Sequence, residues 1–280
     1  MKIDIIEMTD RKAVLDIQDV RPYFVNALRR TLIADVPKLA IEYVTFYDNT
    51  SGLFDEIIAH RLGLVPVPTD LEAFVPRDQC TCEGEGCPSC TVRFTLSKEG
   101  PCTVTSGDLQ SDDPEFRAAD PDIPIVELLP NQRLILETEA ILGSGSQHAK
   151  WQPVSGCGYK YYPIVELDQN KFDAVTKKAV INACSTGVMK DAAGKIVIED
   201  VTKINLNDDF EKAYAEAAGL DWPVEDEKKL GIRVRGDDRR FIFRFETDGS
   251  LTPYQAVRKA TVMLQERFDV LSKLTTTKVR

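Results

Sequence analysis

Histidine is the scarcest chemical resource of this chain: its 280 residues contain two, His60 and His148. The side chain best suited to moving protons near neutral pH is therefore almost missing. A nucleophile elbow, a phosphate-cradling glycine loop and a metalloprotease helix are missing as well. No residue reads as catalytic. Paired carboxylates such as Asp112 and Asp113 stand in low-complexity acidic text, where solvation explains them. No apolar run approaches the ~20 residues that a membrane-spanning helix needs. The start, "MKIDIIEMTDRK", carries charges where a signal peptide would need an apolar core. The chain is accordingly expected in the cytoplasm, where thiols stay reduced and a disulfide framework is disfavoured. A basic excess is also absent. With a formal net charge of −10, contact with nucleic acid is expected only indirectly, through partners. The densest basic run, "RVRGDDRR" (233–240), is interrupted by two aspartates and reads as a solvated strand edge or turn.

What is present is the balance of a folded globular protein, 43% hydrophobic and 29% charged, long enough for one large domain or two to three smaller ones. Ile3 and Ile5, then Ala13, Leu15 and Ile17, alternate with polar neighbours, Asp16 among them, as a half-buried antiparallel pair does. "RPYFVNALRRTLIADVP" reads as a helix opened by Pro22 and stopped by Pro37. "LAIEYVTFY" (39–47) reads as a strand. In "LFDEIIAHRLG", Phe54, Ile57, Ile58 and Leu62 share a helical face, Gly63 supplies the stop, and His60 is expected to make a structural hydrogen bond. From about Val65 to Pro163 short strand candidates ("TVRFTL", "IVELL", "RLILETEAIL") alternate with proline, glycine and acidic runs, a mostly β insertion. In it, "GSGSQHAKWQP" has the composition of a flexible loop, and a mobile loop bearing His148 could act as a lid. Helix-like "FDAVTKKAVINAC" and "NDDFEKAYAEAAG" flank strand-like "GKIVIE", and "PVEDEKK" reads as a linker.

Four of the seven cysteines fall in eleven residues: Cys80-x-Cys82-x4-Cys87-x2-Cys90, with Gly84, Gly86 and Pro88 supplying tight turns. Two close pairs facing each other across a short loop can close a tetrahedron of thiolates, the ligand set of structural zinc. A four-iron cluster uses the same ligand type, but a Cys-x-Cys pair is not its usual spacing. One structural zinc ion is the better match, worth ~10–16 kcal/mol in finger peptides. The scattered Cys102, Cys157 and Cys184 read as small buried hydrophobes.

The strongest start signal belongs to the last helix. Thr252 can cap it, Pro253 suits its first position, and Gln255 completes a capping box. Ala256, Val257, Ala260, Met263, Leu264, Phe268, Leu271 and Leu274 then fill an apolar face over roughly 33 Å of helix. The few short strands nearby cannot cover all of it, so part of the stripe is expected to meet a partner.

Four blocks resemble one family: "NALRRTLIADVPKLAIEYVTFYDNTS" (26–51), "DEIIAHRLGLVPV" (55–67), "HAKWQPVSGCGYKYYP" (148–163) and "FRFETDGSLTPYQAVRKATVMLQERFDVL" (243–271). They are similar, in order, to the D-type subunits of archaeal DNA-directed RNA polymerase, a family related to the third-largest subunit of eukaryotic polymerase II and to the bacterial α subunit. The resemblance implies an α+β fold. A bacterial-α-like dimerisation domain (1–46 with 225–280) would carry a mostly β insertion (47–165) and a degenerate ferredoxin-like subdomain (166–224). It implies a non-catalytic assembly subunit of DNA-dependent RNA polymerase, paired with a small L-like subunit and docking the large catalytic ones. The second-largest subunit and the small N- and P-type subunits would be further partners. Val257, Ala260, Leu264, Phe268 and Leu271 would form the pairing interface. Asn26, Leu28, Arg29 and Arg30 would face the rest of the polymerase, with His148, Lys150 and Trp151 as a further subunit contact. Cys80, Cys82, Cys87 and Cys90 take the positions of a cysteine loop found in many members.

One departure concerns a ferredoxin-like domain that some members load with four-iron clusters. Cys184 with Thr186-Gly187-Val188 resembles the end of a cluster motif, but Ser185 replaces its proline and the Cys-x2-Cys-x2-Cys run is absent. No iron–sulfur cluster is expected, since a single cysteine cannot hold one. Two rival readings remain: a free-standing redox or electron-transfer protein using the cysteine loop, and a homodimeric binding module like a bacterial α.

Overall fold

The computed structural model describes residues 1–111, 113, 116–185 and 187–277. Asp112 of the acidic pair, Thr186 of the cluster-like motif and the last three residues lie outside the described residues. In chain order the elements are β1 (Lys2–Met8), β2 (Lys12–Gln18), α1 (Pro22–Ala34), β3 (Pro37–Asn49), α2 (Asp55–Gly63), β4 (Thr91–Glu99), β5 (Cys102–Thr105), β6 (Gln110–Ser111), β7 (Pro124–Leu128) and β8 (Arg133–Ser144). There follow β9 (Val154–Leu167), α3 (Ala174–Ala183), β10 (Met189–Ala192), β11 (Lys195–Ile198), α4 (Asp209–Ala217), β12 (Ile232–Thr247) and α5 (Pro253–Thr277). The fold is α+β, as expected. Among the described residues, two four-stranded sheets run in the orders β1-β2-β12-β9 and β3-β8-β4-β6, and two two-stranded pairs join β5 to β7 and β10 to β11. Among the described residues no helix is long and apolar enough to cross a membrane.

The residues fall into two compact units. The larger comprises Ile5–Val14, Asn26–Gly158 and Arg244–Arg280. Its sheet is antiparallel, with β3 paired to β8 from Pro37↔Ser144 to Asn49↔Leu134 and β4 paired to β8 from Thr91↔Ile141 to Glu99↔Arg133. Period-two alternation puts Leu134, Leu136, Ala140 and Leu142 of β8, with Val92, Phe94 and Leu96 of β4, on one face. These pack with Leu39 and Ile41 of β3 and with Ile58 and Leu62 of α2 in one core. The helical face expected for α2 is only half right. Ile58 and Leu62 are buried, whereas Phe54, just ahead of the helix, is 80% exposed and Ile57 is exposed too. Gly63 is the last residue of the helix, as its sequence suggests, with Leu64 as the C-cap. His60 is exposed and makes no side-chain hydrogen bond to a described residue.

The smaller unit comprises Met1–Asp4, Leu15–Val25 and Tyr159–Phe243. Val180, Val188, Met189, Ile196, Phe210, Tyr214 and Ile232 build its core, and Cys184 is buried among them. The helix α3 starts at a capping box in which the Asp173 carboxylate accepts from the N–H groups of Val175 and Thr176. The basic run 233–240 is neither edge nor turn. It lies within β12, whose sheet neighbours are β2 and β9. Asp16, expected on a polar face, is 5% exposed. It is buried because the Arg240 guanidinium grips it with Nε at 3.0 Å and Nη2 at 2.6 Å and stacks 3.6 Å from the Tyr162 ring. On β1, the outermost strand, Ile3 and Ile5 are exposed rather than half-buried.

Candidate metal centre and exposed helix face

The cysteine loop is built from tight turns with left-handed backbone. Glu83, Gly84 and Gly86 adopt φ of 54°, 90° and 89°, a region that glycine enters without strain. The N–H of Glu83 donates to Cys80 O, that of Glu85 to Cys82 O, and those of Cys90 and Thr91 to Cys87 O. These turns fold the two cysteine pairs onto each other, so that all four Sγ atoms lie within 4.8 Å of one another. Individual separations are 3.4 Å for Cys80–Cys87, 3.6 Å for Cys82–Cys90 and 4.0 Å for Cys87–Cys90. A tetrahedron with metal–sulfur bonds of ~2.3 Å has sulfur–sulfur edges of ~3.8 Å. Three of the six sulfur pairs lie near that edge length, and all four cysteines are free, none being joined by a disulfide bond of ~2.05 Å. In an iron–sulfur cluster the thiolates are divided among two or four irons and must spread further. The arrangement can therefore close around one ion.

The thiols are unequal before any ion enters. Backbone N–H groups of Cys87 and Gly86 hold the Cys82 thiol down to about 5. At Cys80 the Cys82 backbone N–H pulls down, but the hydrogen bond with Cys87, burial and the neighbouring thiols push it up to about 12. Cys82 thus offers a ready thiolate, while Cys80 must release its proton to solvent when a metal ion takes its sulfur.

The α5 cap has the geometry that its sequence suggests. Thr252 N donates to Gln255 Oε1 at 2.9 Å, and Gln255 N donates back to Thr252 Oγ1 at 3.3 Å. The apolar stripe is divided along its length. Ala256, Ala260 and Leu264 are buried, and Val257 is half-buried. Phe268, Leu271 and Leu274 are 59%, 56% and 60% exposed, following one another along the helix at intervals of three residues. Arg267 Nη1 binds Asp35 Oδ2 at 2.7 Å, which ties this half of α5 to the loop after α1.

On α1, Leu28 is buried, as Ala260 is on α5, so both serve the chain's own core rather than an exposed surface. Arg29 donates to Asn26 Oδ1 through Nε and Nη2, while Arg30 is exposed. Burial pushes the Cys157 thiol up to about 12, against the opposing charge of Arg29. The "GSGSQHAKW" stretch is not a loose loop. A Cβ at Gly143 would fall 2.4 Å from Trp151 Cε2, and one at Gly145 would fall 2.2 Å from the Ile33 carbonyl oxygen. These glycines exist for close packing, which removes the lid reading. Trp151 is buried and donates its indole N–H to Ile141 O, and Lys150 binds Ile41 O and the Glu42 carboxylate. His148 remains exposed, its Nδ1 accepting from the Lys150 N–H. Sequence reading overlooked Arg77, three residues before the first cysteine. Its bonds run to the loop and to β8, and no spacing in the chain announces them.

Known proteins speak to the same chain independently of its geometry. The RNA polymerase Rpb3/RpoA insert domain family matches residues 44–156. The DNA-directed RNA polymerase subunit Rpo3 of Thermoplasma volcanium is 40% identical, with 97% of this chain and 98% of the relative aligned. Rpo3 of Picrophilus torridus is 41% identical over 96% and 97% of the two chains. Rpo3 of Methanosarcina acetivorans is 41% identical over 95% and 94%. With identity at this level over nearly its whole length, the chain belongs to the archaeal Rpo3 family of DNA-directed RNA polymerase subunits, the D-type family that its sequence blocks resemble.

Proposed function

We propose that this chain is a non-catalytic assembly subunit that pairs through the second half of α5 with a small L-like subunit and gives the large catalytic subunits a platform. The observation that carries the reading is the exposed trio Phe268, Leu271 and Leu274 on a well-capped helix whose apolar face is already buried at Ala256, Ala260 and Leu264. Completing the burial of such side chains is worth about 1 kcal/mol each, enough to make them the centre of an interface. Residues 1–46 with 225–280 would supply the dimerisation part, 47–165 the insertion and 166–224 the ferredoxin-like part. Arg30 and the exposed edge of Asn26 and Arg29, together with the loop of His148 and Lys150, would add contacts to other polymerase subunits. The second-largest subunit and the N- and P-type subunits are the partners in view. Nucleic acid would be reached only through them, in the cytoplasm.

The metal belonging to the four-thiol loop is zinc in this reading. Thiolate chemistry and the ~3.8 Å edges of a closed tetrahedron support it. Such an ion, once bound, would cross-link Cys80, Cys82, Cys87 and Cys90 and hold the loop's shape. The redox alternative draws no support from the sulfur separations or from the relatives.

The test is co-purification of the tagged chain with its small subunit, for wild type and for Phe268→Glu and Leu271→Glu. Wild type should yield an equimolar pair, and each charge should abolish it while the chain stays folded. Pairing that survives both substitutions would remove α5 as the interface.

A further inference from the structure

We propose that Arg77 is a positioning residue for the metal: its guanidinium anchors the cysteine loop to the sheet and balances the charge of the four-thiolate centre. The inference rests on the reading of that loop as a metal site.

Arg77 lies in the short turn Arg77–Gln79 that leads into Cys80. Three sides of its planar group are used at once. Nε donates to the carbonyl of Gly84 at 2.8 Å, inside the loop. Nη1 donates to Glu139 Oε2 on β8 at 2.9 Å. The guanidinium carbon stands 5.5 Å from the ring centroid of Tyr43 on β3. Space on the remaining side is kept by Gly86, where an added Cβ would lie 3.0 Å from Nη2. Glu139 is itself fixed by a second cation, Arg93, whose Nε stands 3.3 Å from Oε1. The Arg77–Glu139 pair is largely shielded, with side chains 22% and 25% exposed, so water weakens it less than a surface pair.

The charge argument points the same way. Four thiolates around one divalent ion leave a doubly negative centre, and the loop adds Glu83 and Glu85. Arg77 is a cation held directly against the loop backbone, so its charge cannot drift away from that centre. Its own ionisation is reinforced first by the hydrogen bond to Glu139, with a contribution from Cys90. A lysine could restore the charge but not the fork that joins Gly84, Glu139 and Tyr43. Because the same group touches loop and sheet, metal binding and the order of that sheet face are linked, and each must favour the other by the same free energy.

The experiment titrates the full-length chain with Co²⁺, whose thiolate bands report a tetrahedral sulfur site, and then with Zn²⁺ against a chromophoric chelator. Arg77→Ala should weaken Zn²⁺ binding by about 10- to 100-fold, the range found when groups that orient metal ligands are removed. Arg77→Lys should recover part of that loss. Glu139→Gln should weaken binding in the same direction, and Arg77→Ala combined with Glu139→Gln should lose no more than Arg77→Ala alone. An Arg77→Ala chain that melts earlier yet binds Zn²⁺ within about twofold of wild type overturns the proposal, because its role would then be packing alone. A wild-type chain without tetrathiolate Co²⁺ bands removes the metal reading itself, which is a different result from wild-type binding that Arg77→Ala leaves untouched.

Discussion

Lys38, near the start of β3, gives its ammonium to the carboxylate of Asp248, in the turn that leads from β12 into α5. The two side chains are unequally sheltered, 3% exposed for Lys38 and 29% for Asp248. Asp248 also accepts from the N–H and Oγ of Ser250, whose carbonyl accepts the N–H of Thr69. Removing one partner of a buried pair costs about 3–5 kcal/mol, because the other charge is stranded. Asp248→Ala should approach that range, since Lys38 has no route to water. Lys38→Met should cost less, about 1–2 kcal/mol, since Asp248 can turn to solvent. Urea denaturation of both variants checks the order; equal losses would mean that the pair is not asymmetric.

The α5 cap gives a smaller and more local effect. Thr252→Ala removes the oxygen that accepts the Gln255 N–H and should cost about 1 kcal/mol. Thr252→Ser should cost almost nothing. Thermal unfolding separates the two.

Packing at the glycine of β8 can be tested directly. Gly143→Ala would drive a methyl into the Trp151 ring, and a core with no room for it loses about 1–3 kcal/mol. A red shift of Trp151 emission should accompany the loss, because the indole must move or lose its bond to Ile141 O. A variant as stable as wild type would show that this contact relaxes freely.

Metal affinity should fall with acidity. In the ion-free loop Cys82 is already a thiolate at neutral pH, whereas Cys80, pushed up to about 12, holds its proton until an ion displaces it. Each displaced proton makes binding about tenfold weaker per unit fall in pH. Zn²⁺ affinity measured between pH 6 and pH 8, on the order of two units, should therefore rise steeply with pH. A flat profile would mean that the thiols bind no ion through exchange of a proton.

Local chemistry was the legible part of this chain. Thr252, Pro253 and Gln255 sit within one turn and specify a helix start without help from elsewhere, and the four cysteines fold through turns inside their own eleven residues. Positions decided by distant partners were not legible. Asp16 looks like a polar face until Arg240, more than two hundred residues away, gives it a reason to be buried. Phe54 and Ile57 obey a helical period, but α2 meets the sheet over a narrower face, which buries only Ile58 and Leu62 of the four. Glycines 143 and 145 read as flexibility because composition cannot distinguish a loose loop from a crowded one. Arg77 is one of 35 lysines and arginines, and only the tertiary path to Gly84 and Glu139 singles it out.

The most direct measurement is native mass spectrometry of the tagged chain drawn gently from its own cells, since one spectrum reports both partners and metal. The account predicts a chain that arrives with one small subunit, within a larger polymerase assembly, and carries one zinc ion; Leu271→Glu should arrive without that partner. A wild-type chain arriving alone, loaded with iron and sulfide, would contradict it.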